Sequence, residues 1–319
     1  MADGAGATVV VTARDRWSEA PAALDRLIAS TGPDAQIVVV DGAAPRSIGA
    51  KFDRLADQGA IRVVRQERFL AANEAKNLGA EGVKSEWIAF IENDVFLSDG
   101  WLDRLIRVAE ERDATAVYPA YLHEDHDGRW VVHGLGCDLE FTGPEGRQWV
   151  KERQHHLFEP WGEVRASVGV IERPQAEPHA VVVRRSLVEG IGGFDEQLLS
   201  WFEHTDLALH IRKRGGSSWL VPDVTCLYRP PPPLAFSDYR SFGLRWSADW
   251  LTMSLVRLCE VWGLDVEDPG WGKHDRYRKL MRRRILTKWP KVNYQIDRVV
   301  GPFQSWDARR WLGQRADAG

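Results

Sequence analysis

Cysteine is scarce in this chain of 319 residues: three in all, Cys137, Cys226 and Cys259, far apart and never in a CxxC spacing. That excludes a zinc ribbon or a disulfide framework and fits a reducing cytoplasm. No apolar run approaches the roughly 20 residues that a membrane-spanning helix needs. Met1 to Thr8 has neither the basic stretch nor the apolar core of a signal peptide. Charge of neither sign dominates, with 42 Lys and Arg against 46 Asp and Glu and a net charge of −4. Nucleic acid is therefore not an expected partner. No internal repeat or long low-complexity tract is present. A soluble cytoplasmic protein is expected, with peripheral contact at the inner face of a membrane as its one route to lipid.

What is present is an alternation of short β-branched runs with amphipathic stretches. Thr8–Thr12, Ile37–Val40, Ile61–Arg65 and Trp87–Ile91 read as strands. Between them lie helical patterns: one opened by Pro21 and stopped at Gly32-Pro33, one over about Ala50–Gln58, and one over Ala71–Gly82. A further helix carries Leu102, Leu105, Ile106 and Ala109 at helical spacing. Strands that are apolar throughout, rather than alternating, predict a mostly parallel sheet covered by helices on both faces. The turn after the first strand, Ala13-Arg14-Asp15-Arg16, has no GxGxxG, which disfavours a dinucleotide-binding domain. Residues 121–178 break the pattern and are expected to form loops and short strands. Regularity returns at Ala180–Arg184, in a helix over about Glu203–Arg214, and in strands near Trp219–Val221 and Val224–Tyr228. Pro230–Pro233 reads as a stiff connector to a mostly helical remainder.

The fourth strand runs into Glu92-Asn93-Asp94 and then the helix opener Ser98-Asp99-Gly100-Trp101. Two carboxylates at the carboxyl edge of a sheet, one residue apart, can share a divalent cation and a ribose. Other segments fit the same picture. They are Val38-Val39-Val40-Asp41-Gly42, Ala75-Lys76-Asn77-Leu78-Gly79, Gly192-Gly193-Phe194-Asp195-Glu196, and Glu203-His204-Thr205-Asp206-Leu207 with Gly215. In this order and spacing the chain resembles the family 2 glycosyltransferases of the GT-A fold, over about Thr8–Tyr228. There are two departures. His204 stands where the family usually carries its catalytic aspartate, and Leu227-Tyr228-Arg229 stands where many members have a metal-binding histidine.

The resemblance implies an α/β, Rossmann-like GT-A domain over residues 1–235, with a nucleotide-sugar half at about 7–120 and an acceptor half at about 121–235. A helical C-terminal extension would cover 236–319. It implies transfer of a sugar from a nucleoside-diphosphate sugar to an acceptor hydroxyl, with Mg²⁺ or Mn²⁺ acting as Lewis acid on the leaving diphosphate. Asp94 is the expected metal ligand, with Glu92 on the ribose or reaching the metal through water, and Asn93 between them. Asp41 can accept from a base edge, Thr12 and Arg14 can line the base and phosphate pocket, and Lys76 can meet the diphosphate as a point charge. Glu203, His204 and Asp206 are the candidates for the base that deprotonates the acceptor. Direct displacement with inversion is favoured, and a retaining route stays open. The acceptor classes are a polysaccharide, a lipid-linked sugar or a small metabolite. A nucleotidyltransferase lacks its expected Gly-rich turn here. A non-catalytic sugar-nucleotide binder or scaffold is the competing class, given His204.

Fifteen tryptophans are unusual. Trp149, Trp161, Trp201, Trp246 and Trp250 are candidates for stacking on sugar rings, Trp201 foremost, although core packing is the commoner use of the residue. Of the histidines His133, His155, His156 and His179, only His179 opens a strand leading back to the site and is a candidate on the acceptor side. Lys273–Lys291 carries nine Lys or Arg against Asp275, with aromatic and aliphatic residues interleaved. It is a candidate contact for an anionic membrane or a lipid-diphosphate acceptor. The helix before it is a candidate seam to the catalytic domain or to the second subunit of a homodimer.

Overall fold

A computed structural model describes residues 6–285 apart from 126, 145–146, 176, 229–233 and 268–270, and further on residues 295, 302, 306–308 and 310. The Pro230–Pro233 connector and residues 286–291 of the basic stretch lie outside the described residues.

The chain opens with β1 (Ala7–Thr12), α1 (Ala20–Ser30), β2 (Gln36–Gly42), α2 (Arg46–Asp57), β3 (Arg62–Gln66), α3 (Ala72–Ala80) and β4 (Trp87–Glu92). The short β5 (Val95–Leu97) and α4 (Trp101–Glu111) follow. The middle holds β6 (Ala116–Glu124), β7 (Trp130–Gly134), β8 (Cys137–Thr142), β9 (Trp149–Gln154), α5 (Trp161–Val164) and β10 (Ile171–Glu172). Then come β11 (Ala180–Arg184), α6 (Arg185–Ile191), α7 (Glu203–Lys213) and β12 (Ser218–Tyr228). The last described elements are α8 (Tyr239–Arg245), α9 (Ala248–Trp262) and α10 (Gly272–Ile285).

One large sheet runs in the order β10-β12-β6-β11-β4-β1-β2-β3. Its first half is parallel, β1 pairing with β2 and β4, and β2 with β3. β11 enters antiparallel between β4 and β6, so the sheet is mixed rather than parallel throughout. The apolar runs explain the burial of β1 and β4 on both faces, but a run of valines carries no direction. β12 is one strand where two were expected, with a register shift between Val221 and Thr225 beside Pro222. α2 begins four residues earlier than expected because Pro45, with its fixed φ, caps it and Ile48 and Phe52 turn into the core. Residues 121–178 form a hairpin, β8–β9, beside short strands.

One close approach sets how α3 seats on the sheet. At Gly79 of α3 an added Cβ would lie 2.2 Å from Val10 Cγ1, so only glycine lets α3 seat on β1 and β2. The C-terminal helices share a buried seam with α7, in which Leu198, Phe202 and Leu209 meet Leu251, Leu258 and Trp271. Among the described residues no helix is long and apolar enough to cross a membrane.

Candidate functional site

β1 and β4 are neighbours and parallel, so their carboxyl ends bring the loop after Thr12 against Glu92-Asn93-Asp94. Asn93 fastens that loop: its Oδ1 accepts from the Arg14 amide at 3.1 Å and its Nδ2 donates to the Arg16 carbonyl at 3.3 Å. The amide of Asn93 donates to the Thr12 carbonyl at 3.0 Å. The Asn93 side chain thus holds backbone. The side chains of Thr12 and Asn93 had been expected to touch the donor.

The loop delivers two buried arginines. Arg14 Nη1 forms an ion pair with Glu92 Oε1 and donates to Glu203 Oε1 at 2.9 Å. One guanidinium nitrogen therefore joins the end of β4 to the start of α7. Arg16 Nε lies 3.5 Å from Asp94 Oδ2. The other oxygen of Glu92, Oε2, accepts from His179 Nδ1 at 2.6 Å. His133 Nε2 lies 3.1 Å from His179 Nε2. Burial, reinforced by His179, holds His133 well below the ordinary imidazole range. Tyr228 stacks on both rings, 5.0 Å from His179 and 5.5 Å from His133. His179, a candidate on the acceptor side, bonds to Glu92.

The electrostatics differ along these three residues. Burial opposes ionisation of Glu92, but Arg14 and His179 outweigh it and hold the carboxyl far below its usual range. Burial pushes Asp94 up to about 6, with Arg16 opposing and Glu92 adding to the rise. Asp94 is 1% exposed and neither of its oxygens accepts a hydrogen bond from the described residues.

A divalent cation was expected on Asp94 and Glu92, and the side chains do not fit one as they stand. Both oxygens of Glu92 already hold cationic or N–H donors, which leaves Asp94 alone with free lone pairs. Among the described residues no group of three His, Cys, Asp or Glu side chains could hold a metal ion. Hard divalent ions need several oxygen ligands, and Glu92, expected on the ribose or on the metal through water, here holds Arg14 and His179.

Asp41 ends β2 in another way. Its Oδ1 accepts from the Ala44 amide at 2.7 Å and its Oδ2 from Arg65 Nε at 2.8 Å. Both oxygens are taken, the first by the turn that follows. Lys76 is not on a solvated face: it is buried, with Nζ 3.4 Å from Asn73 Oδ1 and 5.5 Å from the Phe194 ring centre. Burial lowers its pKa, and Glu203 opposes.

α7 starts after Ser200 and Phe202, two non-glycine residues with φ of 60° and 63°. That costly left-handed backbone aims Glu203 inward. Burial would raise the Glu203 carboxyl, and Arg14 with Lys76 holds it below its ordinary range. Its Oε2 has no hydrogen-bond partner among the described residues. His204, the second residue of α7, lies 3.7 Å by Nε2 from Glu152 Oε1. Glu152 also accepts from Thr205 Oγ1 at 2.7 Å and Gln175 Nε2 at 3.0 Å. A small pocket is lined by Lys76, Phe194, Glu203, His204, Glu177 and Leu207 among others.

Asp206 and Trp201 are drawn elsewhere. Asp206 Oδ1 accepts from Trp262 Nε1 at 2.8 Å, in the seam with α9. Trp201 donates from Nε1 to the Arg245 carbonyl at 2.8 Å and meets Trp246 edge-on at 5.3 Å. Trp246 and Trp250 are buried in the same seam. In α10, Arg278 and Arg282 donate to the Trp246 carbonyl at 3.1 and 3.2 Å, so two cations of the basic stretch anchor the helix and do not face lipid.

Sequence reasoning gave no role here to Arg16, His133, Tyr228, Glu152 or Arg245, which pairs with Asp15. Only Arg16 left a signal: Arg14 and Arg16 sit two apart on a turn facing two acids that are also two apart.

The family model for glycosyl transferase family 2 matches residues 8–190, more than half of the chain, and spans both β1 and β4 with the loop between them. The chain belongs to glycosyl transferase family 2. Human polypeptide N-acetylgalactosaminyltransferase 6 is 25% identical over 266 residues, which are 79% of this chain and 38% of that protein. The glycosyltransferase GlyG of Streptococcus pneumoniae is 26% identical over 118 residues, 36% of this chain and 39% of that one. The chain spans about two-fifths of the length of these relatives. Among solved structures, GalNAc-T7 with UDP, GalNAc and Mn²⁺ superposes with a TM-score of 0.54 at 16% identity, covering 93% of this chain and 58% of that one. TarS of S. aureus with UDP gives 0.50 at 12% identity, covering 88% and 70%. The family's GT-A fold, a mixed sheet flanked by helices with a helical C-terminal region, is the fold of this chain.

Proposed function

We propose that this family 2 member is a glycosyltransferase that moves a sugar from a nucleoside-diphosphate sugar to an acceptor hydroxyl by direct displacement with inversion. The observation that carries the reading is the Arg14 nitrogen shared by Glu92 and Glu203. It joins a donor-side acid and an acceptor-side acid within one guanidinium's reach. UDP in two structural neighbours supports a uridine diphosphate donor as the first to test.

In this reading the acceptor oxygen attacks the anomeric carbon and its proton passes to Glu203. The bond from that carbon to the diphosphate oxygen breaks, and its electron pair leaves with the diphosphate. Glu203 is favoured over His204 because its Oε2 is buried and unpartnered, while His204 leans on Glu152. It is favoured over Asp206 because that carboxylate is held by Trp262. Lys76 and Arg14 keep Glu203 ionised and ready to accept a proton. The acceptor is a saccharide, lipid-linked or small-molecule hydroxyl, reached through the pocket beside His204 and Leu207.

The test is release of free nucleotide from UDP, GDP, dTDP and CDP sugars, in water and with a saccharide panel, comparing the native chain with Glu203→Gln. Release that is unaffected by the substitution removes Glu203 from the mechanism. No release and no nucleotide binding by any donor leaves a non-enzymatic role.

A further inference from the structure

We propose that Arg14 and Arg16 take the place of a divalent cation in this chain, so that guanidinium groups neutralise the donor's diphosphate. The inference rests on the nucleotide-sugar reading above and concerns the same site. Two acids at the end of β4 would be a costly buried pair on their own, and a metal ion is one way to tolerate them. Here each already has its cation: Arg14 on Glu92 and Arg16 on Asp94, with the arginines 8% and 2% exposed. Arg14 also pairs with Glu203, and a divalent ion added among these acids would meet two fixed positive groups at short range.

The arginines are also held where they are. Asn93 bonds the backbone of both, Ser241 Oγ donates to the Asp15 carbonyl at 3.0 Å, and Arg245 pairs with the Asp15 carboxylate. Ser18 is tied to Asp238 at 2.8 Å and 2.6 Å through its amide and hydroxyl. Arg14 still has donor capacity to spare. Its Nε is buried and finds no hydrogen-bond partner among the described residues. A guanidinium that is anchored by one nitrogen and open at another suits the fork geometry of phosphate oxygens. Lys76 adds a third buried cation beside Glu203. In turnover, the electron pair that leaves with the diphosphate is met by these groups.

The decisive measurement is calorimetric titration of the full chain with UDP, GDP, dTDP and CDP, once in EDTA and once with Mn²⁺, with the free Mn²⁺ signal followed by electron paramagnetic resonance. The nucleotide that binds is expected to do so within about threefold under both conditions, leaving the Mn²⁺ signal undiminished. Arg14→Ala is expected to weaken it by about tenfold or more, unrescued by Mn²⁺. Because Arg14→Ala strands two buried acids and can unfold the chain, Arg14→Lys serves as the second variant. It keeps the charge without the fork and is expected to weaken binding by only about three- to tenfold. Binding that appears only with Mn²⁺, with loss of the free Mn²⁺ signal, overturns the arginine assignment and leaves the donor reading standing. No binding of any of the four nucleotides under either condition sinks the donor reading itself.

Discussion

Two strands of the same parallel half end in acid, and the two ends have different fates. β2 ends in Asp41, whose oxygens go to the Ala44 amide and to Arg65, an arginine with 41% of its side chain exposed. β4 ends in Glu92 and Asp94, which meet Arg14, Arg16 and His179, all nearly dry. At β2 the carboxylate is itself buried and closes a turn, and only its ion-pair partner Arg65 reaches solvent. At β4 the acids and their partners are almost fully buried, and both Asp94 oxygens lack a hydrogen-bond partner among the described residues. An acid after a buried strand therefore signals a site only when something buried comes to meet it.

The sharpest way to break that contrast is through the group that meets β4 from the far side. Glu203→Gln is expected to lower turnover on the order of 100-fold or more while nucleotide affinity stays close to native, read from initial rates and titration calorimetry. The second is a pair of matched changes. Glu92→Gln removes one partner of a buried network and should cost about 3 kcal/mol in urea unfolding. Asp41→Asn weakens a half-exposed pair and should cost less than about 1 kcal/mol. Equal costs would erase the distinction between the two ends. A smaller effect concerns α7 itself. Asp206→Asn keeps an oxygen for Trp262 and is expected to leave turnover within about threefold, whereas a loss like that of Glu203→Gln would return Asp206 to the reaction.

The smallest effect is pH-dependent and lies in the seam, away from both strand ends. Burial, opposed by Glu152, lowers His274 to about 4. The unfolded chain protonates this imidazole near its ordinary value of about 6.5. Between those two pH values the unfolded state binds more protons, so acidification from 6.5 towards 4 removes stability. In thermal melts across that window His274→Gln should flatten the decline. An unchanged slope would mean that His274 is not buried neutral.

The donor-side elements were legible because their signals are local. Val9–Val11, Ile37–Val40 and Trp87–Ile91 are buried runs of the right length, and the acids follow directly in sequence. Glu203 was legible as the start of a helix, and His179 as the start of a strand. What those side chains touch was not legible. Asn93, a candidate for the donor, braces a loop, and Trp201, a candidate for stacking on a sugar, sits in a seam. Asp206 read as a partner of Glu203 because the two are three residues apart, yet Trp262 claims it. The basic stretch was a candidate membrane contact, and within it Arg278 and Arg282 each donate to the Trp246 carbonyl.

From its sequence alone the chain determined that a layered α/β domain would carry acids at the carboxyl edge of β4 and a polar helix start opposite. Burial of apolar runs and the residues that follow them are properties of neighbours along the chain. The reversal of β11, the choice of which acids face each other, and the cations that meet them were decided only by tertiary structure. Arg14 and Glu203 are 189 positions apart, and Coulomb energy depends on their distance in space. No local pattern carries that distance until the sheet and α7 have come together.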